Sequence, residues 1–132
     1  MRSKPCLTTE DVQKVVAGCR AKGAEIKREP TIAVVSEDGH LLYLERPDRN
    51  GVNTVEMATA KARTAAFRGR PSRAFGQRVK EQPASLMAPN YLGVEGGIPI
   101  LYEGECLGGV GVSGIDHDDE PVAEAGAAAF KG

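Results

Sequence analysis

The residues best equipped for chemistry lie in one continuous stretch, from Arg46 to Arg63. Arg46, Lys61 and Arg63 supply positive charge that suits a carboxylate or a developing oxyanion, and Asp48 or Glu56 can take up a proton as a base. Lys61 is also a candidate for a direct part in the chemistry. Further along, the backbone N–H groups of Gly96 and Gly97 are unobstructed by side chains, and Asn53 stands where a helix start offers more of them. Such a set suits a small enolisable or aromatic-derived acid, handled by isomerisation or hydrolysis. His117, between Asp116 and Asp118, can ligate a metal or titrate near neutral pH, whereas His40 follows a turn and reads as a surface residue. Each of these features also has a plain structural reading. The basic residues make a solvated helix face, and the acids around His117 make a helix start.

The whole chain narrows the choice. With 132 residues it forms one domain, 1–132, large enough for a real core but not for two. A formal net charge of -1, no Trp and only three Phe and three Tyr leave little to attract or stack nucleic acid. No apolar run approaches the roughly 20 residues that cross a bilayer, and MRSKPCLTTEDV is not a signal segment, so the expectation is a cytoplasmic protein. Cys6, Cys19 and Cys106 are too scattered for a CxxC pair, so no structural metal site is expected and they read as small hydrophobes or free thiols. Between Lys61 and Lys80 there are seven basic residues and no acidic one, which is either a solvated face or a place for an anion.

The elements that must carry these residues follow from spacing. Thr8 with Asp11 three residues on signals a helix start, and Val12, Val15, Val16 and Cys19 continue an amphipathic helix to about Gly23. Asp38-Gly39 between two apolar runs, 31–36 and 40–45, predicts a hairpin whose near-continuous hydrophobicity suggests central strands. A second helix from Asn53 or Thr54 carries a small-residue stripe of Val55, Ala58, Ala62 and Ala65. A short helix after Pro71-Ser72 and an irregular, proline-punctuated loop lead to Gly96-Gly97. A closing helix runs from about Asp118 to Phe130, with Val122, Ala125, Ala129 and Phe130 facing inward.

Between them, Gly96 to Gly114 reads as a second hairpin, turning near Glu103-Gly104-Glu105, whose return strand is cleared by glycines at 108, 109 and 111. The alanine stripe can pack closely there. Helix, hairpin, helix, short helix, hairpin, helix describes an α+β domain with a mostly antiparallel sheet. The segment 108–114 lacks the lysine and the strand-loop-helix order of a nucleotide loop.

Gly96-Gly97-Ile98-Pro99-Ile100, Gly108 through Gly114, and Asp119-Glu120 with Ala123 and Gly126 resemble the GlcG/HbpS-like haem-binding family, which includes the carboxyl-terminal domain of PduO. Val34-Val35, Asp38-Gly39, Lys61-Ala62 and Thr64-Ala65 agree, and the likeness runs over about residues 7–130. It implies a five-stranded antiparallel sheet covered by helices, and homo-oligomers from dimers to octamers. It also implies a small-molecule-binding accessory role in a catabolic pathway, with haem or a related tetrapyrrole as one ligand and His40 or His117 as its axial candidate. The family's Arg-Met-Asp-Gly-Ala segment is here Arg46-Pro47-Asp48-Arg49-Asn50, which implies a differently shaped pocket mouth. An enzyme using Arg46, Lys61 and Asp48 or Glu56, and a purely structural oligomeric protein, remain the two other readings.

Overall fold

The computed structural model describes residues 1–132. Its elements are helix α1 (Thr9–Glu25), strands β1 (Thr31–Ser36) and β2 (Leu41–Glu45), helices α2 (Asn53–Arg68) and α3 (Arg73–Glu81), strands β3 (Gly97–Tyr102) and β4 (Glu105–Ser113), and helix α4 (Asp119–Ala129). Short 3-10 turns cover Pro83–Met87 and Asp116–Asp118. None of the helices is long and apolar enough to cross a membrane.

Local signals explain most boundaries. At α1 the capping box is complete: the Asp11 N–H donates to Thr8 Oγ1 at 3.2 Å and the Thr8 N–H donates back to Asp11 Oδ2 at 2.9 Å. The Thr8 N–H, and to a lesser degree the Thr8 hydroxyl 2.9 Å from the same oxygen, hold the Asp11 carboxyl below its ordinary value. The β3–β4 connection is a two-residue turn with Glu103 at φ 48° and Gly104 at φ 79°. Two successive positive φ values are what a twisted hairpin needs.

The sheet is antiparallel, in the order β2-β1-β4-β3. It has four strands rather than the five that the resemblance implies. The chain between α3 and β3, interrupted by Pro83 and Pro89, forms a 3-10 turn and loop instead of another strand. A second correction concerns β2, which is an edge strand and not central. Its Leu41, Leu42 and Leu44 are 44%, 44% and 38% exposed. The apolar run misled because α2 lies chiefly over β4, flanked by β1 and β3, and barely reaches β2.

Helices cover both faces. On one side α1 and α4 enclose the main core of Val15, Val16, Ile32, Val34, Val110, Val112 and Val122. On the other, Ala58, Ala62 and Ala66 of α2 meet Ala33 and Val35. Glycine is required for this second contact. A Cβ at Gly111 would collide with the Ala58 carbonyl oxygen, one at Gly109 with that of Ala62, and one at Gly97 with that of Lys61. The predicted match of alanine stripe to glycine strand is therefore present at Ala58 and Ala62, with Ala66 in place of Val55 and Ala65, and with two adjustments among the glycines. Gly108 points to the opposite face, toward Leu7, and Gly97 of β3 joins the contact. In α4 the buried residues are Asp119, Val122, Ala123 and Gly126, with Phe130 just beyond, while Ala125 and Ala129 are only half-buried.

Candidate functional site

Lys61 is the unexpected residue of α2. It sits one position before Ala62 in the helix face that lies on the sheet, and its side chain is only 2% exposed. A buried ammonium must be paired and hydrogen-bonded. Its Nζ donates to Asp119 Oδ2 at 3.0 Å and to the Val112 carbonyl at 3.0 Å, joining α2, β4 and α4 at one point. Asp119 in turn accepts the Ile115 N–H on Oδ1 at 3.0 Å. Burial pushes the Asp119 carboxyl up, while Lys61 and the Ile115 N–H pull the other way. Gly96, at φ 127°, allows the approach, since a Cβ there would lie 3.0 Å from Lys61 Nζ and 2.6 Å from the Val112 oxygen.

Above this pair opens a cavity of about 540 Å³. Asn53, Met57 and Lys61 of α2 form one wall, Val94 and Glu95 another, and His117 stands on the rim. The His117 side chain is 99% exposed, with Nδ1 3.8 Å from Glu95 Oε1. Its volume falls in the range of small-molecule and cofactor sites. The neighbouring loop is tied down by Asn50, whose Nδ2 donates to the Glu29 carbonyl and to Thr31 Oγ1, both at 3.0 Å. Thr54 lies 2.9 Å from that Thr31 hydroxyl and donates to the Gly51 carbonyl at 2.7 Å.

The candidate residues are thus only partly brought together. Asn53, Lys61 and His117 share the cavity, and Gly96 underlies it. Gly97 does not offer a free N–H, because it donates to Ser72 Oγ at 2.8 Å. Arg46 folds onto its own loop, donating to the Asn50 carbonyl at 2.6 Å and to that of Asp48 at 3.5 Å. Asp48 and Glu56 are exposed and do not line the cavity. Arg63 points to the far end of α2, where its Nε donates to the Gly39 carbonyl at 3.0 Å, and exposed His40 follows that same turn. In the sequence Asp119 stands as a helix-start acid and as part of the family-like motif, with nothing that marks it as a partner of Lys61. The signal that finds it is the lysine on a buried alanine stripe, which requires an acidic partner.

Cys106 offers no nucleophile. Its single S–H lies 3.3 Å from the carbonyl oxygens of both Ala66 and Gly108, either of which can accept it, and burial pushes its pKa up.

A four-stranded antiparallel sheet between an α1/α4 layer and a closely seated α2, with a polar cavity at the α2 and α4 amino-terminal ends, defines an α+β class of small-molecule-sized sites. The chain belongs to the HbpS-like family, whose model, described as haem degrading protein HbpS-like, matches residues 7–128. Protein GlcG of Escherichia coli K12 is 32% identical over 114 residues, covering 86% of this chain and 85% of GlcG. Among solved structures, HbpS superposes with a TM-score of 0.92 at 29% identity, covering 100% of this chain and 95% of that one. A complex of PduOC with heme superposes at 0.86 with 19% identity and 96% of each chain covered, a likeness of fold.

Proposed function

We propose that this protein is a small-molecule-binding accessory protein rather than an enzyme, and that its ligand is haem or a related tetrapyrrole seated in the cavity beneath His117. The observation that carries this reading is His117 itself, an exposed imidazole with no hydrogen-bond partner, its Nδ1 3.8 Å from Glu95, on the rim of a cofactor-sized cavity. An open imidazole is an ordinary axial donor to haem iron, and Met57 and Val94 provide apolar wall beside it. Of the lining, His117, Met57 and Val94 suit the group, while Glu95, Asp116 and Asp119 require its propionates to face solvent or Asn53. His117 would hold the iron, and Asn53 at the start of α2 would meet a propionate. When bound, the porphyrin iron supplies redox and ligand-exchange chemistry. The names of the family and of the PduOC complex point to the same ligand class for those proteins.

Binding is favoured over turnover because Lys61 and Asp119 neutralise one another away from solvent, and Asp48 and Glu56 lie outside the cavity. Assembly of several copies belongs to the same reading, since edge strand β2 leaves Leu41, Leu42 and Leu44 partly uncovered. Hemin titration followed at the Soret band tests the proposal. A saturable shift is expected in wild type and in His40→Ala, and a weakened, altered band in His117→Ala. A spectrum unchanged by His117→Ala overturns the assignment.

A further inference from the structure

The basic run between Lys61 and Lys80 is only partly used by the cavity just described. At the carboxyl end of α2 and along α3, four of its arginines, Arg68, Arg70, Arg73 and Arg78, line a separate cavity of about 350 Å³. The one acid on its wall, Glu81, accepts a hydrogen bond from Gln77 Nε2 at 3.2 Å. Only Arg73 has an ion-pair partner, Glu120 at 2.9 Å. Arg68, Arg70 and Arg78 have no acidic partner within salt-bridge distance. Four like charges gathered with only Glu81 on the wall and Glu120 beside Arg73 still repel, and a neutralising anion relieves that repulsion.

Arg68 adds an observation of a different kind. Its Nη1 is buried and has no hydrogen-bond partner, a costly condition for a guanidinium N–H. The same guanidinium carbon lies 5.3 Å over the ring of Phe75. Phe75 is itself buried and packed edge-on against Tyr91 at 5.0 Å between centroids. The stack fixes the guanidinium before any ligand arrives, which lowers the entropy lost on binding. The turn between α2 and α3 sets the cluster. Gly69 caps α2 at φ 63°, and the Ser72 N–H donates to the Gly97 carbonyl at 2.9 Å, so Arg70 and Arg73 project from a fixed corner.

We propose that this arginine-lined cavity is a second binding site, taking a small anion that carries two or more carboxylate or phosphate groups. The planar guanidinium forks of Arg68, Arg70 and Arg78 match such groups two bonds at a time. The site is independent of the haem reading, because it shares no lining residue with the His117 cavity.

Calorimetric titration with citrate and, separately, with inorganic pyrophosphate tests it in buffered sodium chloride at fixed ionic strength. One saturable event per chain is expected for at least one anion, and the preferred anion tells carboxylate from phosphate. The double variant Arg70→Gln/Arg78→Gln is expected to bind at least about tenfold more weakly, since each lost charged hydrogen bond is worth roughly that factor. Its thermal unfolding in the absence of anion should be no lower than that of wild type, as neither side chain has an acidic partner to lose and the repulsion among the arginines is relieved. A control that removes the same charge elsewhere, Lys14→Gln/Arg49→Gln, should bind as wild type does. The proposal fails if neither anion gives saturable heat, or if both double variants weaken binding equally, which would indicate bulk charge. Binding of an oligonucleotide with no small-anion binding also overturns it.

Discussion

Replacing Lys61 by Met tests the joint on which the cavity rests. The methionine stem fills most of the volume, so the change is chiefly one of charge. Asp119, 9% exposed at its side chain, keeps the Ile115 N–H but loses its counter-ion at 3.0 Å. Breaking a buried pair from one side costs about 3–5 kcal/mol because the remaining charge is stranded. In a domain of this size that is about 10–20 °C in Tm, read by circular dichroism. The pH dependence identifies the cause. The Asp119 carboxyl is already raised by burial, and loss of Lys61 raises it further. A carboxyl raised in the folded state binds its proton more readily there than in the unfolded chain. Its contribution to stability is therefore full below the unfolded value and is lost as pH rises through the folded one. Lys61→Met should accordingly recover stability relative to wild type between pH 7 and pH 4. The double variant Lys61→Met/Asp119→Leu, with no stranded charge, should lie much closer to wild type at pH 7. A single variant within about 0.5 kcal/mol of wild type, or a deficit that does not change with pH, refutes the reasoning.

Four other outcomes follow from the packing and the α1 cap. Gly111→Ala places a methyl group into the Ala58 carbonyl and should cost about 1–3 kcal/mol or more in urea unfolding, with Gly109→Ala behaving alike. Thr8→Ala removes one side of the α1 capping box and should cost about 1 kcal/mol. Because the folded Asp11 carboxyl is depressed, the stability that it contributes is present above its unfolded value and should fade as pH falls through the folded one, as an acid titration of wild type against Asp11→Asn will show. With a thiol reagent at pH 8, exposed Cys6 should react first and half-buried Cys106 slowly. Cys19, buried against Gly126 and pushed up to about 12 by desolvation, should react only on unfolding.

The fold was legible because its decisive signals are local. Thr8 with Asp11, Asp38-Gly39 and Glu103-Gly104 each specify one backbone event, and the glycines at 109 and 111 announce a close neighbour that the alanines at 58 and 62 supply. The placement of β2 was not legible, since Leu41, Leu42 and Leu44 look like core residues until the reach of α2 is known. Site residues were read less well for the same reason. Asn53, Lys61 and His117 meet, but Arg46 is taken by the Asn50 carbonyl and Gly97 by Ser72, partners set by tertiary packing. The Lys61–Asp119 pair spans 58 positions, beyond what any spacing rule sees, though burial of the one required the other.

The claim that the cavity under His117 is where the tetrapyrrole sits is tested most directly by amide chemical shifts. Gallium protoporphyrin, which is diamagnetic and takes an axial imidazole, is added to isotopically labelled protein. The account predicts shifts concentrated at Asn53, Met57, Glu95, Gly114 and His117, the cavity wall and rim, with the β1–β2 turn around His40 silent. Shifts centred on His40 and Leu41 instead, with the His117 region unmoved, would contradict it.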